Sequence, residues 1–238
     1  VYTTAALVPK LTPIVDGVMF SARAHLRFYG LPMGTRMTVV KLPDGRLWVH
    51  SPILLDTVKD DLDALGEVAF VVAPNFIHHL YVGPFLEAYP KARLFLSPKL
   101  MTKRADLVAR GGGELGDEAP DNTWGDVIDQ APARGSKVMD EIVFLHRPTR
   151  TLILCDLLEC VHARAPRWVR VVGKLAGIYE RPGPPIDMKL SFSDHAATRA
   201  FVDRVLAWDF DRVVMSHGDV IETGGKEAFR SAYAFAQP

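Results

Sequence analysis

Three short apolar runs, each closed by polar residues that can bind a metal, constrain this chain more than any other feature. Glu67–Ala73 breaks into Pro74-Asn75-Phe76-Ile77 and then His78-His79. Thr151-Leu-Ile-Leu-Cys155 is closed by Asp156, and Arg212-Val-Val-Met-Ser216 by His217. Apolar runs of this length read as strands. In α/β proteins the strand-to-loop-to-helix junction is where reactive centres are often built. If the three strands are neighbours, His78, His79, Asp156 and His217 converge on one sheet edge, a donor set suited to a divalent ion such as zinc or iron.

The 238 residues are 48% hydrophobic, enough to bury a substantial core, and read as one soluble domain. The 28 Lys and Arg are matched by 28 Asp and Glu, so no basic stripe marks a nucleic-acid partner. The apolar stretches are far shorter than the roughly 20 residues that span a bilayer. The opening residues lack the pattern of a signal peptide, and Cys155 and Cys160 offer neither a disulfide framework nor zinc-knuckle spacing. A cytoplasmic protein with a small-molecule substrate, no nucleic acid and no membrane association is the expectation; the oligomeric state is left open.

Met37–Leu42 and Arg46–His50 flank Pro43-Asp44-Gly45 and predict a hairpin. A helix over 56–65 capped by Gly66, the strand 67–73, a helix over 83–89 stopped by Pro90, and the strand 92–96 then form a βαβ unit. Residues 109–137, rich in Gly, Asp and Pro, read as a surface excursion with one short element. Glu141–Leu145 and Thr151–Cys155 predict a second hairpin. Residues 161–185 are basic and amphipathic, carrying Arg164, Arg167, Trp168, Arg170, Lys174 and Arg181; a solvated helix or lid is favoured there over a membrane-surface helix. A helix over 196–207 capped by Ser193 or Asp194, a strand over 211–216 and a helix over 226–236 complete the chain.

This order of parts resembles the metallo-β-lactamase superfamily over roughly residues 35–235. The resemblance is carried by Arg36-Met-Thr38, Ser51-Pro52, Ala73-Pro-Asn75, His78-His79, Phe144-Leu-His146-Arg-Pro148, Thr151-Leu152 with Asp156, and Ser216-His-Gly218. It implies an α/β fold, an αββα sandwich of two mixed β-sheets flanked by helices. Residues 1–34 would be an N-terminal extension and 158–190 a helical insertion or lid.

The superfamily's His-x-His-x-Asp-His loop reads here as Pro74-Asn-Phe-Ile-His-His79, without the first two histidines. By the resemblance, His78 falls at the Asp position, His79 at the following His, Asp156 at the bridging Asp and His217 at the final His. No later-loop histidine occurs between Ala131 and Asp140. The implied site holds one divalent metal, zinc or iron, with Pro74 and Phe76 filling the other metal's place. Four protein ligands would close a tetrahedral zinc, so a hydrolase needs one to stand back as a proton-transfer group, and His78 is the expected one.

The implied activity is attack by metal-bound water on an ester, lactone, amide or phosphoester. A metal-free member binding a small molecule or partner in the cleft is the alternative, and a single-iron oxidative enzyme a third. His146, at a strand end, is a further acid–base candidate, although a structural turn role also explains it. Asp219 is placed to orient His217. His195 reads as capping chemistry, and His25, His50 and His162 carry no second signal.

Overall fold

The computed structural model describes residues 10–28 and 31–236. The first sheet contains β1 (Thr12–Val15), β2 (Met19–Phe28), β3 (Leu31–Lys41), β4 (Leu47–His50), β5 (Val68–Ala73), β6 (Arg93–Leu96) and β7 (Gly113–Glu114), in that spatial order. Pairing is antiparallel from β1 to β4 and parallel from β4 to β7. Residues 12–28 therefore supply two strands of this sheet and do not form an extension to it. Asp44-Gly45 sits at the β3–β4 turn, Gly45 at φ 86°, as that hairpin requires.

The second sheet contains β8 (Ile128–Pro132), β9 (Ile142–His146), β10 (Thr151–Ile153) and β11 (Arg212–Val214), ordered β11-β10-β9-β8. The predicted second hairpin is β9–β10, and β10–β11 is parallel. The excursion over 109–137 is more ordered than its composition suggests. It contributes β7 and β8, and Trp124 is buried edge-on to Phe70, Phe95 and Trp48. One aromatic ring anchors a segment whose glycines and acids obscure its strands.

Strand alternation sorts the core into three layers. Trp48, Phe70, Val72, Ile142, Phe144, Ile153 and Val214 meet between the sheets. Their neighbours Val49, Val71 and Ala73 face outward with Leu62, Val82, Phe85 and Leu100. Those four come from α1 (Lys59–Leu65), α2 (Val82–Ala88) and α3 (Pro98–Lys103), and α4 (Ala105–Ala109) adds Leu107. Val143, Leu145, Leu152 and Val213 cover the far face of the second sheet. After α5 (Arg167–Leu175) and α6 (Ile186–Ser191), that face is closed by α7 (His195–Ala207) and α8 (Gly225–Ala232) through Phe201, Val205 and Phe229. Asp194 caps α7, its carboxylate accepting from the Ala197 amide at 3.0 Å. The result is an αββα sandwich. No helix among the described residues is long and apolar enough to cross a membrane.

Candidate metal centre

The ends of β4, β5, β10 and β11 meet at one edge of the two sheets. The chain leaving β4 is held where the Ser51 amide donates to the Val72 carbonyl at 2.9 Å, and that leaving β5 where the Ile142 amide donates to Pro74 at 2.9 Å. The Cys160 amide binds the His217 carbonyl at 2.8 Å. Backbone hydrogen bonds between the elements thus fix the loops that carry the site, which limits how far its side chains can drift.

His78, Asp156 and His217 come together there, their donor atoms all within 4.8 Å of one another. Asp156 Oδ1 lies 3.2 Å from His78 Nε2 and 3.0 Å from His217 Nε2, and the two Nε2 atoms are 3.3 Å apart. Zinc–ligand bonds of about 2.0–2.1 Å place tetrahedral donors roughly 3.3 Å from one another. The three atoms therefore already have the spacing that one divalent ion requires.

Each of the three side chains is oriented from behind. His217 Nδ1 donates to the Gly34 carbonyl at 2.6 Å, which leaves Nε2 as the nitrogen facing the site. Ser51 Oγ lies 2.6 Å from His78 Nδ1, and Ser51 itself takes the left-handed backbone, φ 54°, a costly conformation for a non-glycine residue. Asn75 donates to Asp156 Oδ2 at 2.8 Å and to Glu141 at 3.0 Å, while its carbonyl accepts from the Ile77 and His78 amides at 2.9 Å each. Glu141 accepts the Cys155 and Asp156 amides at 2.6 and 2.8 Å.

The His217 turn is gripped by Arg36. Its guanidinium donates to the Met215 carbonyl and, at 3.0 Å, to that of Gly218. At Gly218, φ 154°, a Cβ would stand 2.7 Å from Met215 Sδ, so only glycine fits.

The electrostatics follow from burial and pairing. Burial pushes the Asp156 carboxyl up, but the two imidazoles beside it outweigh that and hold it below the usual carboxylate range. Burial disfavours a charged His217, yet the Asp156 carboxylate, with Glu159 behind it, raises the imidazole to about 9. Burial and the charge of Asp156 push Glu141 up to about 8 against its three donors.

Four sequence expectations are redirected. His79 does not join the cluster: its Nδ1 faces the Arg104 guanidinium at 2.9 Å, and burial with Lys103 and Arg104 nearby lowers it to about 4. His78, the residue expected to stand back, is inside, and the one at the superfamily's His position is outside. The Asn75-centred turn sends the two adjacent imidazoles to different partners.

His146 caps the opposite end of β9, its Nδ1 2.8 Å from Thr149 Oγ1. Asp219 does not orient His217, a role taken by Gly34. It pairs instead with Arg23 at 3.2 Å, with Arg164, and with His162 at 3.5 Å. Glu141, Asn75, Ser51 and Gly34 were not assigned roles from sequence. Only Asn75 and Ser51 lie in motifs that could have flagged them.

A family model described as "Domain of unknown function (DUF4336)" matches residues 25–183. The chain belongs to that family. No curated protein matches it in sequence. Among solved structures, the DIM-1 metallo-β-lactamase exposed to ceftazidime superposes with a TM-score of 0.65 at 11% identity, covering 96% of this chain and 98% of that one. A metallo-β-lactamase from Pontibacter korlensis gives 0.62 at 11% identity, over 96% and 99%. A metal-soaked Flv1 flavodiiron core from Synechocystis sp. PCC6803 gives 0.65 at 14% identity, over 96% of this chain and 60% of that one. The fold is that of the metallo-β-lactamase superfamily; identities this low speak to fold alone.

Proposed function

We propose that this protein is a mononuclear metal-dependent hydrolase acting on an ester, lactone, amide or phosphoester of a small molecule. One observation carries the reading. With His217 Nδ1 committed to the Gly34 carbonyl, the Nε2 lone pair of a neutral His217 points at a carboxylate oxygen 3.0 Å away and at a second imidazole nitrogen 3.3 Å away. Electron-rich atoms so placed are held together either by a proton on one nitrogen or by a cation between them, and three donors at this spacing favour the cation. Two neutral imidazoles and one carboxylate would hold zinc or iron with a net charge of about +1.

The exclusion of His79 bears on activity, because three protein ligands leave a position open where four would close it. A divalent ion held by His78, Asp156 and His217 would supply Lewis acidity there. The protein's own part is to fix the donors: Gly34 sets the His217 tautomer, Ser51 sets the His78 ring, and Asn75 holds the other Asp156 oxygen away from the ligand position. His78 is thereby a ligand in this reading and not the proton-transfer group.

A metal-free binding protein is the second reading, favoured by the raised His217, since a proton on Nε2 satisfies Asp156 equally well. The two-histidine, one-carboxylate set also suits an oxidative iron centre. Elemental analysis of tag-free protein beside His217→Ala separates these readings. About one equivalent of zinc that disappears in the variant, with hydrolysis of model esters or phosphoesters, is the expected result. Iron with oxygen uptake would replace hydrolysis by oxidation. No metal after incubation with zinc, iron or manganese would overturn the proposal.

A further inference from the structure

The amphipathic helix α5 is mounted with its apolar face outward. Trp168, Val171, Val172 and Leu175 fall at i, i+3, i+4 and i+7, a single stripe. All four are exposed, Leu175 by 75%. The side that packs is marked by buried Gly173, where a Cβ would stand 2.7 Å from Val161. The Ile186 amide donates to the Ala176 carbonyl at 3.0 Å, joining α6 to the end of α5. There Ile186 and Leu190, exposed by 52% and 78%, extend the apolar surface.

The charge around this surface is one-sided. Residues 161–191 carry six Lys or Arg against two acids, in a chain with no net charge. Arg167, Arg170 and Arg181 form no salt bridge among the described residues. Soluble proteins rarely leave a contiguous apolar patch of this kind uncovered. Apolar side chains with a tryptophan, flanked by unpaired cations, match the boundary between acyl chains and anionic headgroups. A second copy fits less well, because a two-fold contact would set the same cations against one another.

We propose that α5 and α6 form a docking face for an anionic lipid surface, entered by Trp168, Val171, Leu175 and Leu190 and attracted by Arg167, Arg170, Lys174 and Arg181. The test is co-sedimentation of the full chain with vesicles of phosphatidylcholine alone and of phosphatidylcholine and phosphatidylglycerol in equal parts. Binding to the anionic vesicles is expected, falling with added salt. It should weaken by roughly tenfold or more in Val171→Ser/Leu175→Ser, from lost apolar contact, and in Arg167→Glu/Arg170→Glu, from lost charge. These side chains lie at the surface, so circular dichroism of both variants should match the parent. Equal affinity for neutral vesicles, or no binding to either kind, overturns the proposal. A concentration-dependent dimer that Val171→Ser/Leu175→Ser dissociates, without vesicle binding, reassigns the face to a contact between copies.

Discussion

The two ends of the second sheet each hold a histidine largely shielded from water, and the chain treats them oppositely. His217, beyond β11, stands 3.0 Å from the Asp156 carboxylate and is raised to about 9. His146 lies at the other end, opposite Thr151 in the β9–β10 register, and its partner is the neutral hydroxyl of Thr149. Burial first, then the charge of Arg147, lowers it to about 4. Both imidazoles lose water. A carboxylate at one end and a hydroxyl at the other decide which can carry a positive charge. The same carboxylate makes one end a candidate for a metal ion, while at the other end the imidazole is hydrogen-bonded within a turn.

Removing the carboxylate should abolish the contrast and have the largest effect. Asp156→Asn takes away one ligand and leaves His78 and His217 facing each other without a counter-charge. Metal content should fall to background, and metal-free protein should lose about 3–5 kcal/mol of unfolding free energy in urea, as expected when one partner of a buried ion pair is deleted. Retention of both metal and stability would show that Asp156 is not the keystone of this end.

Glu141→Gln should cost less, because Asp156 survives while its support weakens. The new side-chain amide would turn its N–H groups either toward the Cys155 amide or toward the Asp156 amide and Asn75 together, leaving at least one donor unsatisfied. A loss of about 1–3 kcal/mol is expected from that. Metal affinity should fall by roughly 10–100-fold, the usual effect of disturbing what holds a ligand. Calorimetric zinc titration that matches the parent would place Glu141 outside the metal's support.

The other end predicts a pH dependence. The folded pKa of His146 is depressed, so the unfolded chain binds its proton more readily, and stability is lost as pH falls from about 6.5 toward about 4. His50, buried on Trp48 and lowered to about 3, and His79 act in the same direction. Glu141 and Glu159, raised to about 8, act oppositely but are outnumbered, so urea midpoints should decline through this window less steeply than three imidazoles alone would make them. His146→Gln, which cannot take up a proton, should make the decline shallower by on the order of 2 kcal/mol. An unchanged acid slope would mean that His146 is protonated in the folded state.

The fold was legible because its main signals are local. The Asp-Gly turn, the strand 67–73, the helix after Asp194 and the second hairpin each declare themselves within a dozen residues. β8 did not, because it is held by long-range pairing with β9 and by Trp124, neither of which has a periodic signature. In the site, His78, Asp156 and His217 were legible as residues at strand ends. Their supports were not, since Glu141, Gly34 and Arg36 reach the centre through contacts that cross between loops and sheets. Sequence alone could not orient two adjacent histidines either, because that depends on which neighbour waits on each side.

That last point gives the mildest prediction and the sharpest control. His78 and His79 are the same residue type one peptide apart, yet one faces Asp156 and the other Arg104. Arg104 keeps its bidentate partner Asp106 at 2.7–2.8 Å whether or not His79 is present. His79→Ala should therefore retain the full metal content and cost about 1 kcal/mol, from lost packing. His78→Ala should lose the metal while leaving that corner intact. If His79→Ala empties the site as well, its imidazole must swing away from Arg104 when metal binds. The ligand count would return to four and the open position that hydrolysis requires would be gone.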